Sequence, residues 1–226
     1  MTSAGYDRES WEQRWARVLR DHPEKVASRA PSAHLLAEVD GVPAGRALDA
    51  GCGHGAEAIW LATAGWQVTA VDFSTTALEI ARSTAEAIGA DVAGRIEWVE
   101  GDLGRWTPPP HTFDLVSCLY VHVEDSVVEM VRRLGSGVAP DGSLVLVGHL
   151  PVDPATGKPT SAAAQVQVTV DEAVEALDPR VWDVMVAEER PRAVAGTGVD
   201  AVVRAVHRPG GGAEVTRGLG TAVPPL

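Results

Sequence analysis

Asp49, three alternating glycines and two histidines are the residues of this chain whose types and spacing could do chemistry. Arg46 to Ala50 reads as a short strand, and Gly51, Gly53 and Gly55 follow it with Cys52 and His54 between them. Residues 56–63 then read as a helix. Glycines let a backbone turn tightly and approach a ligand with no Cβ in the way. The helix behind them opens with N–H groups that have no partner within the helix. A glycine loop immediately after a strand and before a helix is the setting in which such loops hold nucleotides or nucleosides. Asp72 stands 23 residues beyond Asp49, at the end of the next strand, where a carboxylate can accept from ribose hydroxyls. His122 and His149 are expected just past two later strands, at the carboxyl ends where ligands bind. A histidine titrating near ~6.5 could take a proton from an acceptor hydroxyl or thiol; the plainer alternative is that each lines the pocket. Tyr120 is read as positioning a substrate or sharing in the chemistry.

The loop also discriminates among ligands. Dinucleotide-binding dehydrogenases carry GxGxxG and lay a pyrophosphate over the helix N-terminus. Here the spacing is GxGxG, and Asp49 precedes it. A carboxylate there repels a pyrophosphate and suits a ligand that bears an ammonium group and no phosphate.

The elements that must position these residues follow from apolar periodicity and punctuation. Trp11, Trp15, Val18 and Leu19 fall at helical spacing within residues 8–20. A short helix after Pro31-Ser32 carries Leu35, Leu36 and Val39. Strands are expected at 68–71, 95–99, 113–119 and 143–147. Thr76 to Glu79 and Ser126 to Glu129 read as capping boxes opening two helices, and Pro140-Asp-Gly142 reads as a turn. Strands and helices thus alternate from about 46 to 147, which calls for a parallel sheet covered on both faces. Beyond a short helix at 170–177, residues 182–188 and 201–207 read as two strands without a helix between them, hence an antiparallel hairpin. The expected fold is α/β: a Rossmann-like, doubly wound, mostly parallel seven-stranded sheet with an antiparallel C-terminal hairpin. Residues 1–208 form one domain on this reading, the helices within 1–40 cover the acceptor side, and 209–226 form a flexible tail.

Bulk properties narrow the partners. The formal net charge is −12, the wrong sign for a surface that must neutralise phosphates, so a small molecule is favoured over nucleic acid. No apolar stretch approaches the ~20 residues that span a bilayer, and the N-terminus lacks the pattern of a signal peptide. Cys52 and Cys118 form no CxxC pair, which suits free thiols in a reducing compartment, and the expected location is the cytoplasm. No His, Cys or acidic residues show metal-ligand spacing. Oligomeric state is not legible.

From Arg46 to Val147 the chain resembles the class I S-adenosylmethionine-dependent methyltransferases, with several motifs in the right order. LDAGCGHG (48–55) resembles their first motif, VDFS (71–74) the second, GDL (101–103) the third and FDLVSCLYVHV (113–123) the fourth. The turn PDGSLVL (140–146) completes the series. The resemblance implies S-adenosylmethionine as cofactor, whose methionine portion carries the ammonium group that Asp49 would suit. It implies contacts from Asp49, Gly51, Cys52, Gly53 and Gly55, with Cys52 a small side chain tolerated between glycines. Asp72 would bind the ribose hydroxyls beside Ser74, and Phe73 would pack on the adenine. Asp102 would accept from the adenine amino group and Leu103 would touch the ring, while Cys118 and Leu119 line the strand end facing the methionine portion. His122, His149 and Tyr120 are the candidate catalytic residues. The stretch from Gly51 to Ser74, with Trp60, Gly65 and Trp66, is similar to small bacterial methyltransferases of the tellurite-resistance and thiopurine type. Ser117-Cys118-Leu119-Tyr120 departs from the Asn/Asp-Pro-Pro-Tyr of DNA amino-methylating enzymes, and the paired-glutamate loop of protein arginine methyltransferases is absent. The implied activity is methyl transfer to a small-molecule acceptor by in-line displacement. The alternatives are a non-catalytic cofactor-binding domain of the same fold and, further off, a nicotinamide-dependent oxidoreductase.

Overall fold

The computed structural model describes residues 8–21, 29–122, 126–153, 157–159, 167–192 and 198–210. The elements run α1 (Arg8–Asp21), α2 (Ala33–Val39), β1 (Arg46–Ala50), α3 (Ala56–Thr63), β2 (Gln67–Asp72), α4 (Thr75–Ile88), α5 (Ala90–Ala93), β3 (Ile96–Glu100), β4 (Phe113–Leu119), α6 (Val127–Gly135), β5 (Val138–His149), α7 (Val170–Ala176), β6 (Trp182–Pro191) and β7 (Val199–His207). The strands form one seven-stranded sheet in the order β3-β2-β1-β4-β5-β7-β6. The first five are mutually parallel, and β7 runs antiparallel to both β5 and β6. The expected C-terminal hairpin is present, with its second strand inserted between β5 and the first. Strand order reverses between β1 and β4, so the crevice beyond their carboxyl ends is where an open α/β sheet binds ligands.

Both faces of the sheet are covered, which is why its central strands are buried at nearly every position rather than at alternate ones. Successive side chains of a strand point to opposite faces. In β4 Leu115 joins one core cluster and Val116 the other. Leu48, Leu144 and Leu146 pack with Met130, Val131 and Leu134 of α6 on one face. Ala47, Val68 and Val145 pack with Leu35 of α2, Leu61 of α3 and Leu78 of α4 on the other.

Local expectations were corrected in three places. The cap of α4 is Ser74, whose hydroxyl accepts from the Ala77 N–H, so Thr76 lies inside the helix and its capping box does not form. Ser126 caps α6 as expected, but Glu129 turns to Arg132 at 2.7 Å instead of reaching back to Ser126. Residues 140–142 are absorbed into an irregular start of β5, with Asp141 at φ 65°. A reciprocal capping box stands instead at Thr169 and Glu172, opening α7. Val123 of the fourth motif and residues 211–226 of the expected tail lie outside the described residues. No helix among the described residues is long and apolar enough to cross a membrane.

Candidate active site

The glycine loop joins β1 to α3 and is fastened from below. Gly51, Gly53 and Gly55 all have positive φ, at 80°, 51° and 82°, a region that an L side chain enters only at a cost. The N–H groups of Gly51 and Cys52 both donate to the Val71 carbonyl, at 2.8 and 3.0 Å. The Gly53 N–H donates to Asp72 Oδ2 at 2.9 Å, and Asp72 Oδ1 accepts from the Ser74 N–H at 2.9 Å. Asp72 therefore clamps the loop to the start of α4 while keeping further lone pairs on both oxygens. Burial raises its pKa, with the backbone hydrogen bonds from Ser74 and Gly53 opposing. Part of the donor set that the loop offers in sequence is thus spent internally, and what remains is a rigid cradle. A Cβ on Gly51 would collide with Val121 Cγ2, and one on Gly53 would lie 3.0 Å from the Trp15 ring.

Asp49 lies beneath this cradle, 3% exposed. Its Oδ1 accepts from the Ser117 hydroxyl at 3.2 Å across the β1–β4 pair. Oδ2 is buried without a hydrogen bond of good geometry. Burial and the neighbouring Glu57 carboxylate raise the Asp49 pKa well above the usual range. A buried acceptor beside two other carboxylates calls for a cationic partner, since an unpaired buried polar group costs about 1–3 kcal/mol. Around it, Leu103 is buried in the cluster that holds Ala50 and Cys118, and Leu119 is buried in the cluster on the opposite face. Cys52 is buried, and Phe73 is half-buried. Asp102 is exposed; its Oδ1 accepts from the Gly104 N–H at 2.9 Å, the turn-capping alternative to an adenine contact.

Helix α1 lies on these loops rather than on the sheet. The Trp15 ring packs against His54 at 5.4 Å and Trp11 against His122 at 5.4 Å. Glu12 Oε1 accepts from the Thr75 hydroxyl at 3.4 Å, at the opening of α4. Burial of His54, with the Arg29 charge second, lowers its pKa to about 4. A base depressed in the folded state stabilises it fully above the unfolded value near ~6.5, and that contribution is lost as pH falls toward about 4, because the unfolded chain takes the proton first. Asp49 and Asp72, raised by burial, act in the opposite sense. Replacing His54 by Gln leaves those terms in place, so they cancel in a difference. Urea unfolding at several pH values is expected to show wild type losing stability relative to His54→Gln between pH ~6.5 and ~4. A difference that stays flat with pH would mean that His54 protonates as easily folded as unfolded.

At the carboxyl ends of β4 and β5, beside β7, the fold brings together a polar cluster. Asp200, 1% exposed, pairs in register with His149. Its Oδ1 lies 2.8 Å from His149 Nδ1 and accepts from Arg192 Nε at 2.8 Å. Its Oδ2 accepts from the Tyr120 hydroxyl at 3.1 Å and lies 3.3 Å from His34 Nε2. Burial raises the Asp200 pKa, but the hydrogen bonds from His149 and Arg192 outweigh it, and the carboxyl sits below its ordinary value. Tyr120 takes left-handed backbone at φ 58°, and its ring lies 4.2 Å from that of His149. Burial, with the Asp200 charge second, pushes its phenol to about 12, so Tyr120 holds its proton as a donor to Asp200. Gln167 bridges the histidines: its Oε1 accepts from the His149 N–H at 2.6 Å and its amide nitrogen lies 3.0 Å from His122 Nε2.

Asp200, Gln167, Arg192 and His34 escaped sequence reading because each lies far along the chain from the motif residue it meets. Asp200 alone left a trace, as a single acid in the apolar strand VDAVVRAVH.

Residues 47–142 match the family model described as "Methyltransferase domain". Among curated relatives, the mitochondrial ubiquinone biosynthesis O-methyltransferase of Schizosaccharomyces pombe is 39% identical over 101 residues, 44% of this chain and 36% of that protein. The chain thus spans less than half the length of that relative. Among solved structures, magnesium protoporphyrin IX methyltransferase from Synechocystis PCC 6803 with bound S-adenosylhomocysteine superposes with a TM-score of 0.62 at 20% identity, over 90% of this chain and 96% of that one. A TehB-like methyltransferase from Corynebacterium glutamicum gives 0.54 at 17% identity, over 89% of this chain and 98% of that one.

Proposed function

We propose that this chain is a class I S-adenosylmethionine-dependent methyltransferase and transfers a methyl group from S-adenosylmethionine to a small organic acceptor. The observation that carries the reading is the cradle at 49–55. A buried Asp49 oxygen with no hydrogen bond of good geometry lies under glycines that leave no room for side chains, which fits a ligand with an ammonium group and no phosphate. Asp49, the loop, Asp72 and Phe73 would hold the cofactor, with Leu103 and Leu119 closing its apolar sides and Asp102 at its adenine end. The cofactor supplies an activated methyl on sulfur. The protein then has to align acceptor and methyl and exclude water, since orientation is the larger part of such a displacement. Trp11 and Trp15 of α1, packed over the loops, serve that exclusion. The acidic net charge supports a small acceptor rather than nucleic acid. Two buried, unpaired cysteines suit a reducing, cytoplasmic setting, and residues 1–208 are read as one domain.

Calorimetric titration is expected to show saturable binding of S-adenosylmethionine and S-adenosylhomocysteine and none of NAD. Well-folded protein that binds neither sulfur nucleoside would sink the proposal. Transfer of a labelled methyl group separates an enzyme from a domain that only binds.

A further inference from the structure

We propose, building on the methyl-transfer reading above, that His149 is the general base, that Asp200 orients it, and that the acceptor is a phenolic or enolic hydroxyl. The two histidines at the carboxyl edge of the sheet are not equivalent, and Gln167 distinguishes them. The His149 backbone N–H can only donate, so the Gln167 atom that meets it at 2.6 Å is the amide oxygen. The amide nitrogen must then face His122 Nε2 and donate to it at 3.0 Å. That nitrogen of His122 carries a lone pair already engaged, and a proton there would oppose the amide hydrogens. His149 is held the other way. Its Nδ1–H donates to Asp200 Oδ1 at 2.8 Å, which fixes the tautomer and leaves the Nε2 lone pair without a partner among the described residues. Its side chain is 27% exposed, so an acceptor can reach it.

The site lies beside the cofactor cradle: Tyr120, stacked on His149, directly precedes Val121, whose side chain lies against Gly51. As the acceptor oxygen bonds to the methyl carbon, the C–S bond breaks and its electron pair returns to sulfur. The hydroxyl proton passes to His149 Nε2, and Asp200 stabilises the resulting imidazolium. A phenol, ordinarily near ~10, gives up its proton to a base more readily than an alkyl alcohol does. An alkyl alcohol, close to water at ~15.7, parts with its proton far less readily. A thiol near ~8.5 is partly ionised without help. The charged and titratable groups facing the base are Asp200 and Tyr120, with His34 and Arg192 beyond Asp200.

The full chain should be given labelled S-adenosylmethionine with catechol, 2-mercaptoethanol or benzylamine as probe acceptor. Transfer to catechol is expected to exceed the other two. His149→Gln should slow it at least ~100-fold, with S-adenosylmethionine affinity kept within about twofold. Asp200→Asn should lower the plateau and move the rise of rate with pH to lower pH, because the imidazolium loses its carboxylate; a merely structural role would leave that midpoint in place. Nitrogen NMR of the wild-type imidazoles gives a reading free of variants: neutral His149 should carry its proton on Nδ1. A proton on Nε2, preference for the thiol or amine, or no transfer to catechol by protein that binds the cofactor would each overturn the assignment. Protein that binds no cofactor fails the earlier reading instead.

Discussion

Replacing Gly148 by Ala is expected to cost about 3 kcal/mol of unfolding free energy, the upper end of overpacking penalties. Gly148 lies in β5 opposite Ala201 of β7, deep in the sheet. A Cβ there would collide with the Val168 carbonyl oxygen and come within 2.9 Å of Val168 Cγ1. A flexible side-chain tip could swing away, but a backbone carbonyl beside a buried Val168 moves only with its segment. That segment includes Gln167, whose amide holds the His149 N–H and His122. Urea unfolding should therefore show a large drop in midpoint, and the imidazole signals of both histidines should shift in the folded variant. A loss below ~0.5 kcal/mol would mean that the 167–168 segment yields freely and does not position the histidines.

Asp72→Ala is expected to weaken S-adenosylmethionine binding by on the order of 100-fold, about 3 kcal/mol. Sequence position alone supports the loss of ribose hydrogen bonds to a carboxylate, about 1.5–3 kcal/mol each. The structure adds a second effect, because the same carboxylate holds the Gly53 and Ser74 N–H groups. Removing it strands two donors and releases the cradle. Asp72→Asn keeps one acceptor oxygen and can serve only one of those N–H groups fully, so its loss should fall between wild type and Ala. Calorimetry on the three proteins decides. Equal affinities for all three would make Asp72 a purely structural clamp.

Most of the fold was legible because its signals are local. Apolar runs of strand length, the Gly51-Gly53-Gly55 punctuation and the Ser126 cap each depend on residues a few positions apart, and they placed most of the alternating elements to within a residue or two, although β5 starts at Val138 rather than at 143. The errors have local causes too. At α4 a Thr-x-x-Glu pattern competed with Ser74, which is buried and captures the Ala77 N–H, so the helix starts earlier than the pattern suggests. At 140–142 the turn residues stand as an irregular stretch of β5 between the paired positions Val138 and Ser143.

The sequence by itself determined the glycine-loop half of the proposed site. Asp49, the glycines and Asp72 are brought together by one strand–loop–helix–strand unit, and a chain that short has few ways to arrange them. The half around His149 and Asp200 was decided only by tertiary structure. His149 and Asp200 are 51 residues apart, and they meet because β7 inserts antiparallel beside β5 and pairs those two positions. Tyr120 and Gln167 reach the same place by separate routes. No local pattern encodes that meeting, since it depends on strand order and register, which are fixed by burying both faces of the whole sheet.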